Sequence, residues 1–244
     1  MLYSPTLSLI RIIPLVLWTL CLSLMHIVFH FIFKKSFFLF YNLFFKGLIK
    51  LFGIKVNSEG IPSKKNVLFI SNHISYLDIF ILGSLVEGLF VAKSEINTWP
   101  VINKICILGR TLFVDRKSLV RVKGQMNMLI QTLKKGFSII LFPEGTSSDG
   151  SRVLPFKSSL FGVIENQKQN RFLLQPISIS YSKLDGLPIE TNFRPFFAWF
   201  GNMDLVTHFW KFLGLGLSEV KVKFHKPIKF CDFKDRKHAA KYSH

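Results

Sequence analysis

His73 and Asp78 are the side chains in this sequence placed best for acid–base chemistry. They lie in VLFISNHISYLDIF, residues 67–80, where an apolar β-prone run meets Ser71-Asn72-His73 and so reads as a buried strand ending in a polar turn. On a continuous helix a five-residue spacing separates two side chains by about 140°, so this pair meets only across a turn. Ser75-x-x-Asp78 ahead of Ile79-Phe80-Ile81-Leu82 has the form of a capping box. It would place Asp78 in the first helical turn and His73 in the loop before it. The carboxylate then accepts one imidazole N–H, and the other ring nitrogen is free to act as a base. A plainer reading makes Asp78 an ordinary first-turn acid and His73 a loop histidine.

Two further stretches end strands in reactive types. GRTLFVDR, residues 109–116, places Arg116 at a strand exit, where a guanidinium could hold a phosphate or carboxylate through two parallel N–H bonds. Arg116 could equally be the solvated start of the basic helix that follows. FSIILFPEGTSSDG, residues 137–150, is an apolar strand meeting Pro143-Glu144-Gly145-Thr146. Proline fixes the exit direction and glycine permits a positive φ, so backbone N–H groups can turn around an oxygen-rich ligand. Glu144, held between them, needs partners if it is buried. Lys157, in Pro155-Phe156-Lys157, is a second candidate cation for an anionic substrate.

These loops need a scaffold, and the chain supplies one. β-prone runs at 67–71, 89–92, 111–114, 137–142, 173–180 and 220–224 alternate with helix-like segments at 77–86, 98–108, 118–135 and 157–166. Such alternation predicts a single α/β domain on a largely parallel or mixed sheet flanked by helices, with its chemistry beyond the strand ends.

Ahead of it, residues 12–33 carry no Lys, Arg, Asp or Glu, long enough to cross a hydrocarbon core. Residues 37–52 are again rich in Phe and Leu, with Lys46 and Lys50 four apart on one face, as in an interfacial helix. Either the first segment spans while the second lies on the surface, or both form a hairpin dipping into one leaflet. A buried helical hairpin is the soluble alternative. The expected division is a membrane-anchoring part at 1–56 and a catalytic part at 57–244. The excess of Lys after the first apolar segment predicts that the domain faces the cytoplasm.

The chain of 244 residues carries a net charge of +18, yet 49% of it is hydrophobic, with 27 Phe. That pairing argues against a purely soluble nucleic-acid binder and for an anionic membrane surface or an acidic partner. No RNA- or DNA-binding motif is present, so no nucleic-acid partner is expected. Cys21, Cys106 and Cys231 have spacings that fit neither a disulfide framework nor a zinc site, which predicts a reducing compartment and no metal.

The ordered blocks Asn72-His73-x4-Asp78, residues 109–116, Phe142-Pro143-Glu144-Gly145-Thr146 and Leu174-Gln175-Pro176-Ile177 resemble those of the glycerolipid acyltransferases, the 1-acylglycerol-3-phosphate acyltransferase family. The likeness covers about residues 60–182, and the N-terminal apolar pair resembles that family's membrane motif. Residues 197–213 further resemble members from bacterial lineages.

The resemblance implies a glycerol-3-phosphate acyltransferase-like fold, at the bacterial inner membrane. His73 would be the general base and Asp78 its orienting partner. Arg116 would contact the acceptor's phosphate, and Glu144 and Gly145 would shape the acceptor site, which also draws in Asn72, Thr146 and Lys157. The sequence departs at Ser159, where many members have glycine two residues after the lysine, and this loosens the assignment of Lys157.

The implied reaction carries a fatty acyl group from acyl-CoA or acyl carrier protein, as substrate rather than cofactor, to a lysophospholipid hydroxyl. The first expectation is 1-acylglycerol-3-phosphate giving phosphatidate; the alternative is another lysolipid such as lyso-ornithine lipid. No G-x-S-x-G elbow and no cysteine near His73 point to an acyl-enzyme, so attack is expected to be direct. A hydrolase using Ser75 or Ser147, or a non-catalytic binder of anionic lipid, would make a separate prediction: free fatty acid without an acceptor, or indifference to loss of His73.

Overall fold

The N-terminal apolar sequence forms two helices, α1 (Pro5–Ile32) and α2 (Phe37–Leu51), in a computed structural model that describes residues 3–32, 37–115, 119–165 and 172–244. The domain continues through β1 (Ile54–Glu59), β2 (Val67–Ser71), α3 (Leu77–Leu85), β3 (Gly88–Lys93), α4 (Ile102–Leu108), β4 (Leu112–Val114), α5 (Leu119–Lys134) and β5 (Ser138–Leu141). It closes with β6 (Leu173–Leu184), β7 (Leu187–Pro188), α6 (Leu205–Leu213), β8 (Ser218–Phe224), β9 (Ile228–Lys229) and α7 (Arg236–Ser243).

The main sheet path runs β1-β8-β6-β2-β5-β3-β4, with β7 and β9 pairing with β6. The pairs from β6 through β2, β5 and β3 to β4 are parallel, and β8 runs antiparallel to β6, which makes the sheet mixed. β2 is central and sends alternate side chains to two cores, as a two-residue period requires. Val67 and Phe69 join the core under α2, α3 and α6, while Leu68 and Ile70 join that under α5, α7 and the 3₁₀ segment Ser158–Ile164. All four are fully buried, as expected for a parallel strand covered on both faces. β8 instead alternates buried Val220, Val222 and Phe224 with more exposed Glu219, Lys221 and Lys223.

Three sequence expectations change. First, α2 is packed on the domain rather than lying apart from it: Phe37, Tyr41, Phe45 and Leu48 are buried in the core beside α3, while Leu39, Leu43, Lys46 and Lys50 face outward. A boundary at 56/57 therefore falls inside β1, a strand that lacks a strong apolar run. Secondly, the helix expected over 157–166 is the 3₁₀ segment Ser158–Ile164, where Gly162 lets Met126 approach closely. Thirdly, α4 begins only at Ile102, after a separate 3₁₀ turn over Ser94–Thr98.

α1 is long and apolar enough to cross a membrane, and very little of it is buried. Its first turns are fastened to the domain. Ser4 N–H donates to Gly214 O, Ser8 Oγ to Trp210 O, and Arg11 Nη1 to Leu213 O and Leu215 O at 3.0 and 2.6 Å. Arg11 thus satisfies carbonyls that α6 leaves open at its C-terminus, where a cation is also favoured by the helix dipole. Farther along, Trp18 Nε1 donates to Phe44 O, across a contact where a side chain at Gly47 would collide with the indole. The opposite face leaves Leu17, Leu20 and Leu24 more than 60% exposed.

Candidate active site

β2 ends at Ser71 and α3 starts at Leu77, so residues 72–76 turn the chain across the C-terminal edge of the sheet. Asn72 pins the start of that turn. Its Oδ1 accepts from Ile179 N–H at 2.8 Å and its Nδ2 donates to Ile179 O at 3.0 Å, so the amide ties β2 to β6. Both polar atoms of the Asn72 side chain are thus engaged by Ile179.

The turn brings His73 and Asp78 together. His73 Nδ1 lies 2.9 Å from Asp78 Oδ2, which also accepts from Ile74 N–H at 2.7 Å and Ser75 N–H at 2.9 Å. Asp78 Oδ1 accepts from Tyr181 Oη at 2.8 Å. Asp78 is wholly buried, and four donors around one carboxylate offset the desolvation of its charge. With the carboxylate accepting at Nδ1, that nitrogen carries the proton and Nε2 is the open acceptor of the ring. The imidazole stacks on Phe142, with centroids 4.1 Å apart, and Phe142 stacks in turn on Phe90.

The capping box is half-formed. Asp78 reaches back to the Ser75 N–H, but Ser75 Oγ is buried without a partner and the N-cap position belongs to Tyr76. The Ile74 and Ser75 N–H groups serve the Asp78 carboxylate, and the His73 N–H serves Glu144.

Glu144 fastens the turn from the other side. It is 2% exposed, with Oε1 accepting from His73 N–H at 2.6 Å and Oε2 from Leu154 N–H at 2.9 Å. Burial pushes its carboxyl above the ordinary value, and those two N–H bonds pull against that rise. Since His73 O accepts from Ser148 N–H at 2.9 Å, the loop after β5 holds both backbone groups of the base. The turn itself runs from Phe142 O to Gly145 N–H, with Gly145 at φ +78, a conformation that suits glycine.

The remaining expected site residues are spread around this centre. Thr146 is exposed, and so is the Lys157 side chain, although Lys157 N–H donates to Pro143 O and so carries its segment against the turn. Arg116 lies outside the described residues, just beyond β4 and Asp115. Among the described residues no group of three His, Cys, Asp or Glu is placed to hold a metal.

Tyr181 and Phe142 touch the His73–Asp78 pair, contacts that the sequence did not single out. A tyrosine in the run ISISYS could have drawn notice as a polar tip in a buried strand. Burial, then the nearby Asp78 charge, push its phenol well above the ordinary range, so it remains a donor.

The family model described as Acyltransferase matches residues 53–180. The lyso-ornithine lipid O-acyltransferase of Brucella abortus (strain 2308) is 35% identical over 209 residues, covering 82% of this chain and 77% of that protein. The 1-acyl-sn-glycerol-3-phosphate acyltransferase of Neisseria gonorrhoeae is 29% identical over 172 residues, covering 70% and 64%. The crystal structure of the 1-acyl-sn-glycerophosphate acyltransferase PlsC from Thermotoga maritima superposes with a TM-score of 0.55 at 23% identity, over 96% of this chain and 92% of that one, a likeness of fold.

Proposed function

The chain belongs to the acyltransferase family, and on that premise we propose that it transfers a fatty acyl group from acyl-CoA or acyl carrier protein to the free hydroxyl of lyso-ornithine lipid. The observation that carries the chemistry is the buried Asp78 carboxylate on His73 Nδ1, which leaves Nε2 as the only basic atom of the ring. A hydroxyl is a poor nucleophile near neutral pH. His73 Nε2 takes its proton as the oxygen attacks the thioester carbonyl, and Asp78 stabilises the imidazolium that forms. When the tetrahedral intermediate collapses, the C–S bond breaks and the imidazolium returns the proton to the departing thiolate. The N–H groups of His73, Ile74 and Ser75 are already engaged by Glu144 and Asp78, so donors to the oxyanion are sought elsewhere in the site.

Lyso-ornithine lipid is preferred as acceptor because similarity to the Brucella protein exceeds that to the Neisseria one, in both identity and extent. The sequence alone had favoured 1-acylglycerol-3-phosphate. That second reading is supported by Arg116, a phosphate ligand by type at the exit of β4.

The exposed apolar face of α1 supports membrane association, and the excess of Lys in the sequence after it supports a domain on the cytoplasmic side. Docking of Ser4, Ser8 and Arg11 on α6 keeps the N-terminus beside the domain, which favours a dipping hairpin over a helix that crosses.

The test is acyl transfer by the purified, detergent-solubilised protein from palmitoyl-CoA or palmitoyl carrier protein. The acceptors are lyso-ornithine lipid, 1-acylglycerol-3-phosphate and none, for wild type and His73→Ala. Acylated ornithine lipid, reduced at least about 10²-fold by the substitution, is the expected result. Phosphatidate alone would replace the acceptor and keep the mechanism. Undiminished activity in His73→Ala would refute the mechanism itself.

A further inference from the structure

A cavity of about 220 Å³ opens beside the base, lined by Asn72 and Ile74, the residues on either side of His73, and by Tyr181, the partner of Asp78. It is smaller than the roughly 300–1,000 Å³ of a pocket for a whole drug-sized ligand, and its size suits a headgroup. Three charged side chains line it: Asp149, Arg152 and Arg194. Among the described residues none of them closes an ion pair with another, so all three charges remain available to a ligand. Asp149 Oδ1 accepts from Ser151 N–H and Oγ at 2.9 and 2.6 Å, which aims the carboxylate and leaves Oδ2 open.

The backbone segments that carry these side chains are tied to the His73 turn. Ser147 Oγ donates to Trp199 O, Ser148 N–H to His73 O, Leu154 N–H to Glu144, and Trp199 N–H to Ile74 O at 3.0 Å. These bonds join the loop carrying Asp149 and Arg152, the segment following Arg194, and the His73 turn into one preorganised unit. A merely solvated charge cluster would need no such ties to a catalytic turn.

From this geometry we infer that Asp149, Arg152 and Arg194 form the acceptor's headgroup site and that it takes a zwitterionic amino-acid headgroup, its carboxylate on the two guanidinium groups and its ammonium on Asp149. The inference rests on the lyso-ornithine reading above and adds the residues that would select the headgroup. The sign pattern decides between headgroups. A phosphate dianion would gain from both arginines but would face an ionised Asp149, whose carboxyl is held low first by Ser151 and then by the two arginines. An amino acid with a side-chain ammonium meets a partner at every charge. In an amino acid N-acylated by a 3-hydroxy fatty acid, the hydroxyl lies only a few bonds from the carboxylate, which matches a headgroup cavity adjoining the base.

The test pairs variants with acceptors that each lack one charge. N-(3-hydroxypalmitoyl)ornithine carries both groups, the norvaline analogue lacks the ammonium, and the 1,4-diaminobutane analogue lacks the carboxylate. Asp149→Asn should lower kcat/KM on the ornithine acceptor by about tenfold or more, chiefly through KM, and this loss should shrink below about twofold on the norvaline analogue. Arg194→Gln and Arg152→Gln should penalise ornithine and norvaline acceptors but spare the diaminobutane one. On 1-acylglycerol-3-phosphate, Asp149→Asn should raise kcat/KM or leave it unchanged.

Equal losses by a variant on acceptors with and without its charge partner, or no loss on any, would overturn the headgroup site while leaving the lyso-ornithine function standing. Failure of wild type on every amino-acid acceptor, with turnover of 1-acylglycerol-3-phosphate, would overturn both. Unchanged thermal midpoints guard against misfolding as the cause of any loss.

Discussion

Asp78→Asn separates a catalytic carboxylate from a helix-capping one, because asparagine keeps the shape and removes the charge. Four donors surround the native side chain, three on Oδ2 and Tyr181 Oη on Oδ1. The amide fits best with its oxygen toward the three N–H groups and its NH₂ toward Tyr181, whose hydroxyl can rotate to accept. The turn and the His73 tautomer therefore survive, and the missing quantity is attraction between carboxylate and imidazolium. At the observed 2.9 Å that attraction is about 1.4 kcal/mol in a water-like medium and about 6 kcal/mol at an effective dielectric of 20. Full burial of Asp78 places the site toward the higher value, so kcat should fall by about 10²- to 10⁴-fold. Steady-state acyl transfer, followed with a thiol reagent for released CoA, reads kcat, and a denaturation midpoint checks the fold. A variant retaining more than about a tenth of wild-type kcat with an intact fold would refute the dyad and make Asp78 a structural cap.

Tyr181→Phe leaves Asp78 Oδ1 without a donor; it should lower unfolding stability by about 1.5–3 kcal/mol in urea titration and reduce kcat with it. Glu144 has its carboxyl raised by burial, so the folded state holds that proton more tightly than the unfolded one. Its contribution to stability is full below the ordinary glutamate value and declines as pH rises through the raised folded value; the stability of wild type relative to Glu144→Gln should fall across that window. Gly145→Ala forces a side chain to φ +78 and should cost about 1–2 kcal/mol, measured by thermal unfolding. Leu17→Ser with Leu20→Ser on the exposed face of α1 should weaken binding to anionic lipid vesicles by at least about 10²-fold in flotation assays, given about 1.5–3 kcal/mol for each leucine buried in lipid.

The centre of the fold was legible because its signals are local. A short apolar run before Asn72 encodes β2, the apolar run after Asp78 encodes α3, and Pro143 and Gly145 encode the turn after β5. Expectation failed where conformation depends on distant surfaces. Residues 158–164 have apolar side chains buried around Gly162 and no polar stripe, and they settle as a 3₁₀ segment against α5 and α7. α2 carries lysines spaced as on a surface helix, yet its aromatic face completes a core built largely from strands elsewhere in the chain.

The site divides along the same line. Spacing by itself determined that His73 and Asp78 could meet only across a turn, and residue type determined which would be base and which carboxylate. The sequence also carried the ordered blocks of the acyltransferase family and an apolar N-terminal helix. Tertiary structure decided which partners close around the pair: Tyr181 from β6 on Asp78, Glu144 and Ser148 from the loop after β5 on the His73 backbone, and Ile179 on Asn72. It also decided that Arg11 caps α6 and that Asp149, Arg152 and Arg194 share one cavity. The physical reason is that periodicity and capping act within a few residues, whereas a buried charge is satisfied by whichever donors the folded chain brings to it.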